Sequence, residues 1–473
     1  MSIKKFFLFL SLVTLLALIL RFNHLLAIYP FTMDEAYQAF LAQNMRQTGH
    51  LPLIGVNIAD TGLYLGPLFT YLSFILYWLS QGSPISTAIA APIIGGLTVF
   101  SLGWVVYQLT KQLKLKQPAA ISLIASLFYA VSPLIVAYDK KFWNPSFLPL
   151  LGVWGFYSLA QIYLKQFQGF LLLALLTGLA WHTHISFFAF SLLGLVILLL
   201  PQFRPPKKVI LQSLIILFLF FFPSILFEFR HQFIQLKGFK QYLTQPSGLT
   251  FNFLPLFTWL SFLSRSLYLP GKDLAAEISL CQELLRSLNI FISTILSILL
   301  LALIFTSQTF KKIKPLLKLI SWLLLAFLLT SLFLKDSVSE YYFLSLLPLM
   351  ALLVGLAFAS SKSSLIQLLI ISYLVILSFQ SFNLINTYGL SGKIALINRT
   401  AKIIGQEPYE LLASDNNCRR YEGYGYLFSH YFKPPTSSYM DPFFSWLYTD
   451  TDIRTATQQV MLMPGPEVVI QPK

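Results

Sequence analysis

Charged residues are scarce in this sequence, and acidic residues are the scarcest. Only 11% of the 473 residues are charged, with 18 Asp and Glu against 33 Lys and Arg. Hydrophobic residues make up 56% of the chain, aromatic residues 16%, and the mean hydropathy is +0.70. A soluble globule cannot cover so much apolar surface in one core. The composition therefore excludes an ordinary soluble domain and predicts a polytopic membrane protein surrounded by membrane lipids.

Cysteine is nearly absent as well. The chain contains two, Cys281 and Cys418, and two lone cysteines cannot build a metal site. Both fall in segments that we place on the same side of the membrane, so a disulfide between them stays open. The sequence also lacks a P-loop and a dinucleotide fingerprint, so no motif indicates direct use of a nucleotide. It shows no internal repeat of the kind common in transporters.

The net charge of +15 comes largely from basic residues in short connectors between apolar runs. Such a distribution follows the positive-inside rule for cytoplasmic loops. No basic, aromatic-interleaved soluble face is available for nucleic acid, so we exclude that partner. The basic connectors are Lys4-Lys5, 111–116, 204–208 and 311–318.

A transmembrane helix needs about 20 apolar residues, and the sequence offers eleven candidates. The apolar stretch 63–79 is ambiguous. If it spanned the membrane, the 111–116 connector would face the same side as the acidic segment after the first helix, so we place it as an interfacial or re-entrant helix at the outer face. The predicted spans are 6–28, 86–108, 118–137, 146–164, 168–181, 184–200, 208–227, 286–306, 316–334, 340–358 and 364–382.

This topology puts the N-terminus in the cytoplasm and four polar segments outside. The last of them has a soluble composition, with apolar runs at 410–413 and 468–470 that suit short strands. We predict an all-α polytopic membrane domain over 1–382 and a small extracytoplasmic α/β domain over 383–473, in the plasma or inner membrane. The outer segments are 29–85, which holds the first acidic loop, 138–145, 228–285 and 383–473.

Ionisable residues gather at the outer ends of the predicted spans rather than at their midplane, where a transporter would place them. A polyprenyl-phosphate sugar donor needs a carboxylate base for the acceptor hydroxyl and cations for the departing phosphate. Asp34 suits the first role. Cationic side chains of the outer segments suit the second, namely Lys140, Lys141 and Arg230.

Each candidate also has an ordinary structural explanation. Asp34 could be a helix N-cap, with Glu35 in the first turn. His182 and His184 face different sides of a helix, so packing explains them better than a shared metal. The lysines could be plain interface charges, and the aromatic residues a membrane belt. Only their coincidence favours a site, to which we assign, as substrate-binding candidates, Lys140, Lys141, Trp143, Asn144, His182, His184, Arg230 and Tyr341.

The order of several motifs resembles the GT-C membrane glycosyltransferases. A first span is followed by Met33-Asp34-Glu35-Ala36 with an amphipathic helix, then by a Gly-Pro-Leu entry at 66–68 and by Phe142-Trp143-Asn144-Pro145-Ser146. Similar pieces recur at 227–231 and 341–348. The sequence is most similar to the bacterial family 39 group, related to protein O-mannosyltransferases and lipid A aminoarabinose transferases, over roughly residues 1–380.

The resemblance implies inverting transfer of a sugar from a polyprenyl phosphate at the outer face, with Asp34 and Glu35 as the acids of the catalytic motif. Two positions depart from the family pattern: Tyr37 stands where members often carry Arg, and Tyr64-Leu65 stand where an acid and a Lys often precede the Pro-Leu entry. A phosphate contact must then come from Lys140 or Lys141, and a second acid from Asp60.

We therefore expect a polyprenyl-phosphate-sugar-dependent glycosyltransferase whose acceptor is a protein, a lipid or a glycan. Asp34 acts as the base or holds a divalent metal ion, the only cofactor under consideration. The alternatives are a lipid-linked oligosaccharide flippase or transporter without transferase activity, and a degenerate member that serves as a binding scaffold.

Overall fold

A computed structural model describes residues 1–58, 61–244, 262, 265–267, 286–305, 310–331, 339–386, 388–414, 423–438, 456–463 and 467–472. The described chain is mainly helical. Its α-helices are α1 (Ile3–Phe22), α2 (Leu25–Ile28), α3 (Met33–Thr48), α4 (Leu68–Leu79), α5 (Ile85–Gln112), α6 (Pro118–Val131), α7 (Pro133–Tyr138), α8 (Leu148–Tyr163), α9 (Gly169–Trp181), α10 (Phe188–Leu199), α11 (Lys207–Arg230), α12 (Ile234–Thr244), α13 (Arg286–Phe305), α14 (Phe310–Ser331), α15 (Leu347–Ser360), α16 (Ser364–Phe382), α17 (Leu390–Ile404) and α18 (Tyr424–Tyr431).

Every predicted span coincides with helical structure in the described residues, and the expected polytopic helical fold is confirmed. Among the described residues, six helical segments are long and apolar enough to cross a membrane: α1, α5, α11, α14, α16, and α15 together with the 3-10 turn Glu340–Leu346 before it. Of the remaining predicted spans, 286–306 coincides with α13, a helix of 20 residues, and the others correspond to shorter helices. The span predicted at 118–137 is two helices, because α6 ends at Val131 and Pro133, which has no N–H to donate, begins α7.

The buried core is centred on α6, which packs against α1, α5 and α15. Gly355 on α15 allows one of these contacts, since a Cβ there would lie 2.4 Å from the carbonyl oxygen of Ile121. By contrast, many leucine and phenylalanine side chains of α11 and α16 are exposed. Apolar surface on the outside of a helical bundle is what a lipid environment requires.

The ambiguous apolar stretch forms α4, a helix of 12 residues that packs along α3. At 1.5 Å per residue its length is about 18 Å, shorter than the hydrocarbon core of a bilayer. Pro67 stands at its N-cap position. The helix therefore agrees with an element that does not span, and its location at the outer face stays a prediction.

The C-terminal part combines helices with a four-stranded sheet. The strands are β1 (Tyr409–Ala413), β2 (Ser437–Ser438), β3 (Gln458–Met463) and β4 (Glu467–Pro472), in the order β2-β1-β3-β4. Strand β1 pairs in parallel with β2 and β3, whereas β3 and β4 are antiparallel. The predicted α/β character and both predicted strands are confirmed, and Tyr424–Tyr431 forms helix α18 beside the sheet.

Candidate active site at the first turn of α3

Glu35 closes the N-terminus of α3. The backbone N–H of Thr32 donates to Oε2 of Glu35 at 3.0 Å, and the Thr32 hydroxyl donates to the same oxygen at 2.8 Å. This is a capping box with Thr32 as the N-cap. The alternative role of Asp34 as N-cap is therefore wrong. Asp34 is the second residue of the helix, and its carboxylate is available for other contacts.

The Glu35 side chain is buried, with 1% of its surface exposed. Burial raises the pKa of its carboxyl, while the nearby ammonium of Lys141 opposes that rise. Its second oxygen, Oε1, has no hydrogen-bond partner among the described residues. The Tyr77 hydroxyl donates to the Glu35 carbonyl oxygen at 3.3 Å. Glu35 thus fixes the helix start and leaves one buried carboxyl oxygen unused.

Asp34 and Lys141 form the charged centre of the site. The Lys141 ammonium lies 3.5 Å from Oδ2 of Asp34 and 3.8 Å from the centre of the Trp143 ring. The Lys141 side chain is 5% exposed and that of Asp34 is 32% exposed. A carboxylate and a cation, separated by 107 positions in sequence, therefore meet where a ligand can reach the acid.

Buried polar contacts hold the loop that carries Lys141. Arg21 of α1 forms an ion pair with Asp139 at 2.7 Å and is fully buried. Gly95 on α5 leaves the space for this pair, since a Cβ there would lie 2.6 Å from Nε of Arg21. These buried contacts hold the loop against α1 and α5. They therefore fix the position of Lys141.

Lys140 is directed inward, away from Asp34. Its ammonium donates to the carbonyl oxygen of Asn23 at 2.6 Å, and its side chain has no exposed surface. Burial, together with the positive charge of Arg21, lowers its pKa to about 7. Of the two lysines predicted as phosphate contacts, Lys141 is the one that lies at the acid.

An aromatic wall continues from Lys141. The Trp143 ring contacts Tyr341 edge-on at 4.7 Å between centroids, and His184 contacts Tyr341 at 5.6 Å. The Asn144 amide donates to the Thr183 carbonyl at 3.0 Å. The structure therefore brings Trp143, Asn144, His184 and Tyr341 to one place.

Other predicted residues serve different contacts or lie elsewhere. His182 is buried, its Nε2 lies 3.0 Å from the Phe220 carbonyl, and the Leu68 N–H donates to its Nδ1 at 3.4 Å. Arg230 is exposed at the end of α11, and we find no hydrogen bond from its guanidinium to another described residue. Asp60, Cys281 and Cys418 lie outside the described residues.

The described residues contain no group of three or more His, Cys, Asp or Glu side chains placed to hold a metal ion. Asp34 already faces the Lys141 ammonium, and Oε2 of Glu35 already accepts two hydrogen bonds. The two acids of the first turn therefore do not assemble a cation site by themselves, and we assign no step to a metal.

Sequence reasoning missed two polar features of this region. Gln38 is 3% exposed, and both polar atoms of its amide lack a partner among the described residues. Gln38 follows Asp34 by four positions, which places both side chains on one face of α3. This spacing could have identified Gln38 as a candidate site residue. The second feature is the set of contacts made by Glu340, which the sequence places with Tyr341 at the outer end of a predicted span: it accepts a hydrogen bond from Tyr138 at 2.6 Å and pairs with Arg265, and no local sequence pattern predicts these partners.

The C-terminal α/β part holds the turn that leads into α3. Phe31 has a φ of 45°, unusual for a bulky residue. The buried ammonium of Lys393 donates to its carbonyl oxygen at 3.0 Å, and the Leu390 N–H donates to the Tyr29 carbonyl at 2.8 Å. Gly423 lies so close that a Cβ would come within 2.5 Å of the same Phe31 oxygen. Contacts from α17 and the start of α18 thus hold the turn from which α3 begins.

Comparisons with known proteins show the fold. No family model and no curated protein matches the sequence. ArnT from Cupriavidus metallidurans bound to undecaprenyl phosphate matches with a TM-score of 0.60 and 10% identity, over 97% of this chain and 93% of that one. The apo state of the same protein matches with a TM-score of 0.58 and 10% identity, over 99% and 98%. The chain therefore shares the fold of ArnT, with several apolar helices and a small C-terminal sheet.

Proposed function

We propose that this protein transfers a sugar from a polyprenyl-phosphate donor to an acceptor hydroxyl at the outer face of the membrane, with inversion. The observation that carries the proposal is the pair of Asp34 and Lys141 in a partly open site. The fold supports it, because a chain of the same fold has been solved with undecaprenyl phosphate bound. The resemblance of the sequence motifs points to the same chemistry.

In the proposed reaction the acceptor oxygen attacks the anomeric carbon while the bond from that carbon to the phosphate oxygen breaks. The proton of the acceptor hydroxyl goes to the Asp34 carboxylate, which is the general base. The electron pair of the broken bond leaves with the polyprenyl phosphate. Lys141 stabilises the departing charge, since an ammonium held in a water-poor site interacts strongly with a phosphate oxygen.

The aromatic wall gives the sugar a place beside this pair. Trp143 and Tyr341 offer ring surfaces, and the His184 ring packs edge-on against Tyr341. Gln38 and Glu35 each keep buried polar atoms free for hydroxyl groups. We assign sugar recognition to these five side chains.

The deciding experiment is turnover of a labelled polyprenyl-phosphate sugar by purified protein, scored as release of polyprenyl phosphate. We expect Asp34→Asn to lose at least about 100-fold in rate, because the base is gone while the shape is kept. Glu467→Gln, which changes an exposed acid of β4, is the matched control and should turn over like wild type.

Each other outcome changes the conclusion. Equal turnover by wild type and Asp34→Asn would remove Asp34 from the chemistry while keeping the transferase. No turnover by wild type with any of several donor sugars would contradict the transferase. In that case movement of a fluorescent lipid-linked oligosaccharide between leaflets of proteoliposomes would identify a flippase, and its absence would leave a binding scaffold.

A further inference from the structure

A second concave region lies beyond the first turn of α3. Helices α3, α4 and α18 enclose a cavity of about 360 Å3, within the range of small-molecule sites. Neither Asp34 nor Lys141 lines it. The residues that do so come from the bundle, including Arg46 and Trp78, and from the C-terminal α/β part, including Tyr426 and His430.

The lining suits a ligand rich in hydroxyl groups. Gln43, Gln47 and Gln81 each offer an amide that both donates and accepts hydrogen bonds. Trp78 is 59% exposed, so its ring face is available for stacking. Alternating ring faces and amides match the C–H faces and hydroxyl edges of a sugar ring.

The charge of the lining is one-sided. Arg46 contributes a guanidinium, and none of the described residues that line the cavity is Asp or Glu. Burial lowers the pKa of His430, so that ring is neutral at pH 7. A guanidinium binds carboxylate or phosphate with two parallel hydrogen bonds. The cavity therefore favours an anionic group on its ligand.

Three polar side chains of the lining make no hydrogen bond to other described residues, whereas aromatic side chains beside them are held in place. We find no hydrogen bond from the side chains of Gln43, Arg46 or Gln47 to other described residues. The Tyr426 hydroxyl, by contrast, donates to the Gly82 carbonyl at 2.7 Å, and His430 stacks on Tyr426 with 5.9 Å between centroids. Gln43, Arg46 and Gln47 are exposed, so their polar groups can contact a ligand that enters between these fixed walls.

The cavity is joined to the first turn of α3. Tyr77, which lines it, donates to the Glu35 carbonyl at 3.3 Å. Ala39, another lining residue, follows Glu35 by one helical turn, about 6 Å along the axis. A chain-like ligand in the cavity could therefore extend toward Asp34.

We propose that this cavity binds a saccharide that carries a carboxylate or phosphate group, with a sugar ring on Trp78 and the anion on Arg46. Its assignment as the binding site of the acceptor rests on the proposed transferase function. The saccharide site itself does not, because it is argued from the lining alone.

The test is saturation-transfer NMR of full-length purified protein in nanodiscs with three probes: a uronate oligosaccharide, a sugar phosphate and a neutral oligosaccharide of similar size. We expect an anionic probe to bind, and Arg46→Ala to weaken it about tenfold, the loss expected for one charge-assisted contact. Trp78→Ala should weaken both anionic and neutral saccharides. Arg204→Ala, and Leu79→Ala beside Trp78, are matched exposed controls that should bind like wild type.

The comparison of the two anionic probes identifies the source of the charge. Saccharide binding is measured without donor, so loss of turnover and loss of binding can be told apart. If the probes bind as predicted but the wild-type protein does not turn over donor, the saccharide site is supported and only the proposed transferase function is contradicted. Absence of binding by all three probes, or binding that Arg46→Ala and Trp78→Ala leave unchanged, would overturn the proposal.

Discussion

Asp34 and Glu35 are neighbours with opposite surroundings. Glu35 is buried and caps its own helix, whereas Asp34 is partly exposed and faces Lys141. An acid that takes a proton from a ligand must be reachable, and an acid that holds a helix start must keep its hydrogen bonds. Asp34 therefore suits contact with a ligand and Glu35 suits capping of the helix, because only the Glu35 side chain is buried.

The adjacent residues Lys140 and Lys141 should also differ in their effect on sugar transfer when each is replaced by methionine. Lys141→Met should reduce sugar transfer by roughly 100-fold, because a cation beside the reacting atoms stabilises the departing phosphate. Lys140→Met should reduce it far less, since the ammonium is occupied by the Asn23 carbonyl. Rates of polyprenyl phosphate release by both variants check this. A larger loss in Lys140→Met than in Lys141→Met would reverse the assignment.

Lys140 should also give the protein a measurable pH dependence of stability. Its pKa falls from 10.5 to about 7 on folding because it is buried. Between these values the unfolded chain binds more protons at this site than the folded protein, so stability rises with pH across the window. The melting temperature should therefore rise more from pH 7 to pH 9 in wild type than in Lys140→Met. Lys116→Met, at an exposed lysine, should keep the wild-type slope; an unchanged slope in Lys140→Met would contradict the inference.

At the scale of elements, the entry into α3 depends on helices more than 350 positions later in sequence. Phe31 holds a positive φ, a conformation that persists only when its surroundings determine it. Lys393 and Gly423 supply those surroundings through the Phe31 carbonyl oxygen. The C-terminal α/β part thus positions the first turn of α3 as well as closing one wall of the saccharide cavity.

Lys393→Met should loosen this turn while leaving the bundle folded. The variant keeps the apolar stem but loses the hydrogen bond to Phe31, so we expect faster amide hydrogen exchange at 31–36 and a lower turnover rate. Hydrogen exchange with mass spectrometry measures the first effect. Lys402→Met, at an exposed lysine of the same helix, should exchange like wild type. Unchanged exchange at 31–36 in Lys393→Met would show that other contacts alone hold the turn.

Local sequence signals predicted elements better than they predicted contacts. Long apolar runs and bounding prolines or basic connectors locate α5, α11 and α16 within a few residues, because membrane spans must satisfy their backbone internally. The break at Pro133 follows from the missing N–H. The meeting of Asp34 with Lys141, and the inward turn of Lys140, depend on how α1, α5 and the 139–147 loop pack. The periodicity of hydrophobic residues does not predict how separate segments pack against each other.

At the scale of the whole molecule, we predict that the proposed site faces outward, because the acidic turn of α3 and the basic connectors belong to opposite ends of the predicted topology. The 111–116, 204–208 and 311–318 connectors carry the lysines and arginines expected in cytoplasmic loops. The positions of helices and strands alone do not distinguish which end is outside. Charge asymmetry does, and it ties the function to an orientation that an experiment can measure.

Single cysteines report that orientation directly. In a chain with Cys281→Ser and Cys418→Ser, Gln47→Cys lies at the exposed end of α3 and Lys116→Cys in the connector after α5. A membrane-impermeant maleimide should label Gln47→Cys in intact cells and Lys116→Cys only after permeabilisation. The opposite pattern would place Asp34 in the cytoplasm, and the donor sugar would then have to be used at the inner leaflet. Orientation therefore decides on which side of the membrane the sugar-linked lipid must be presented to this protein.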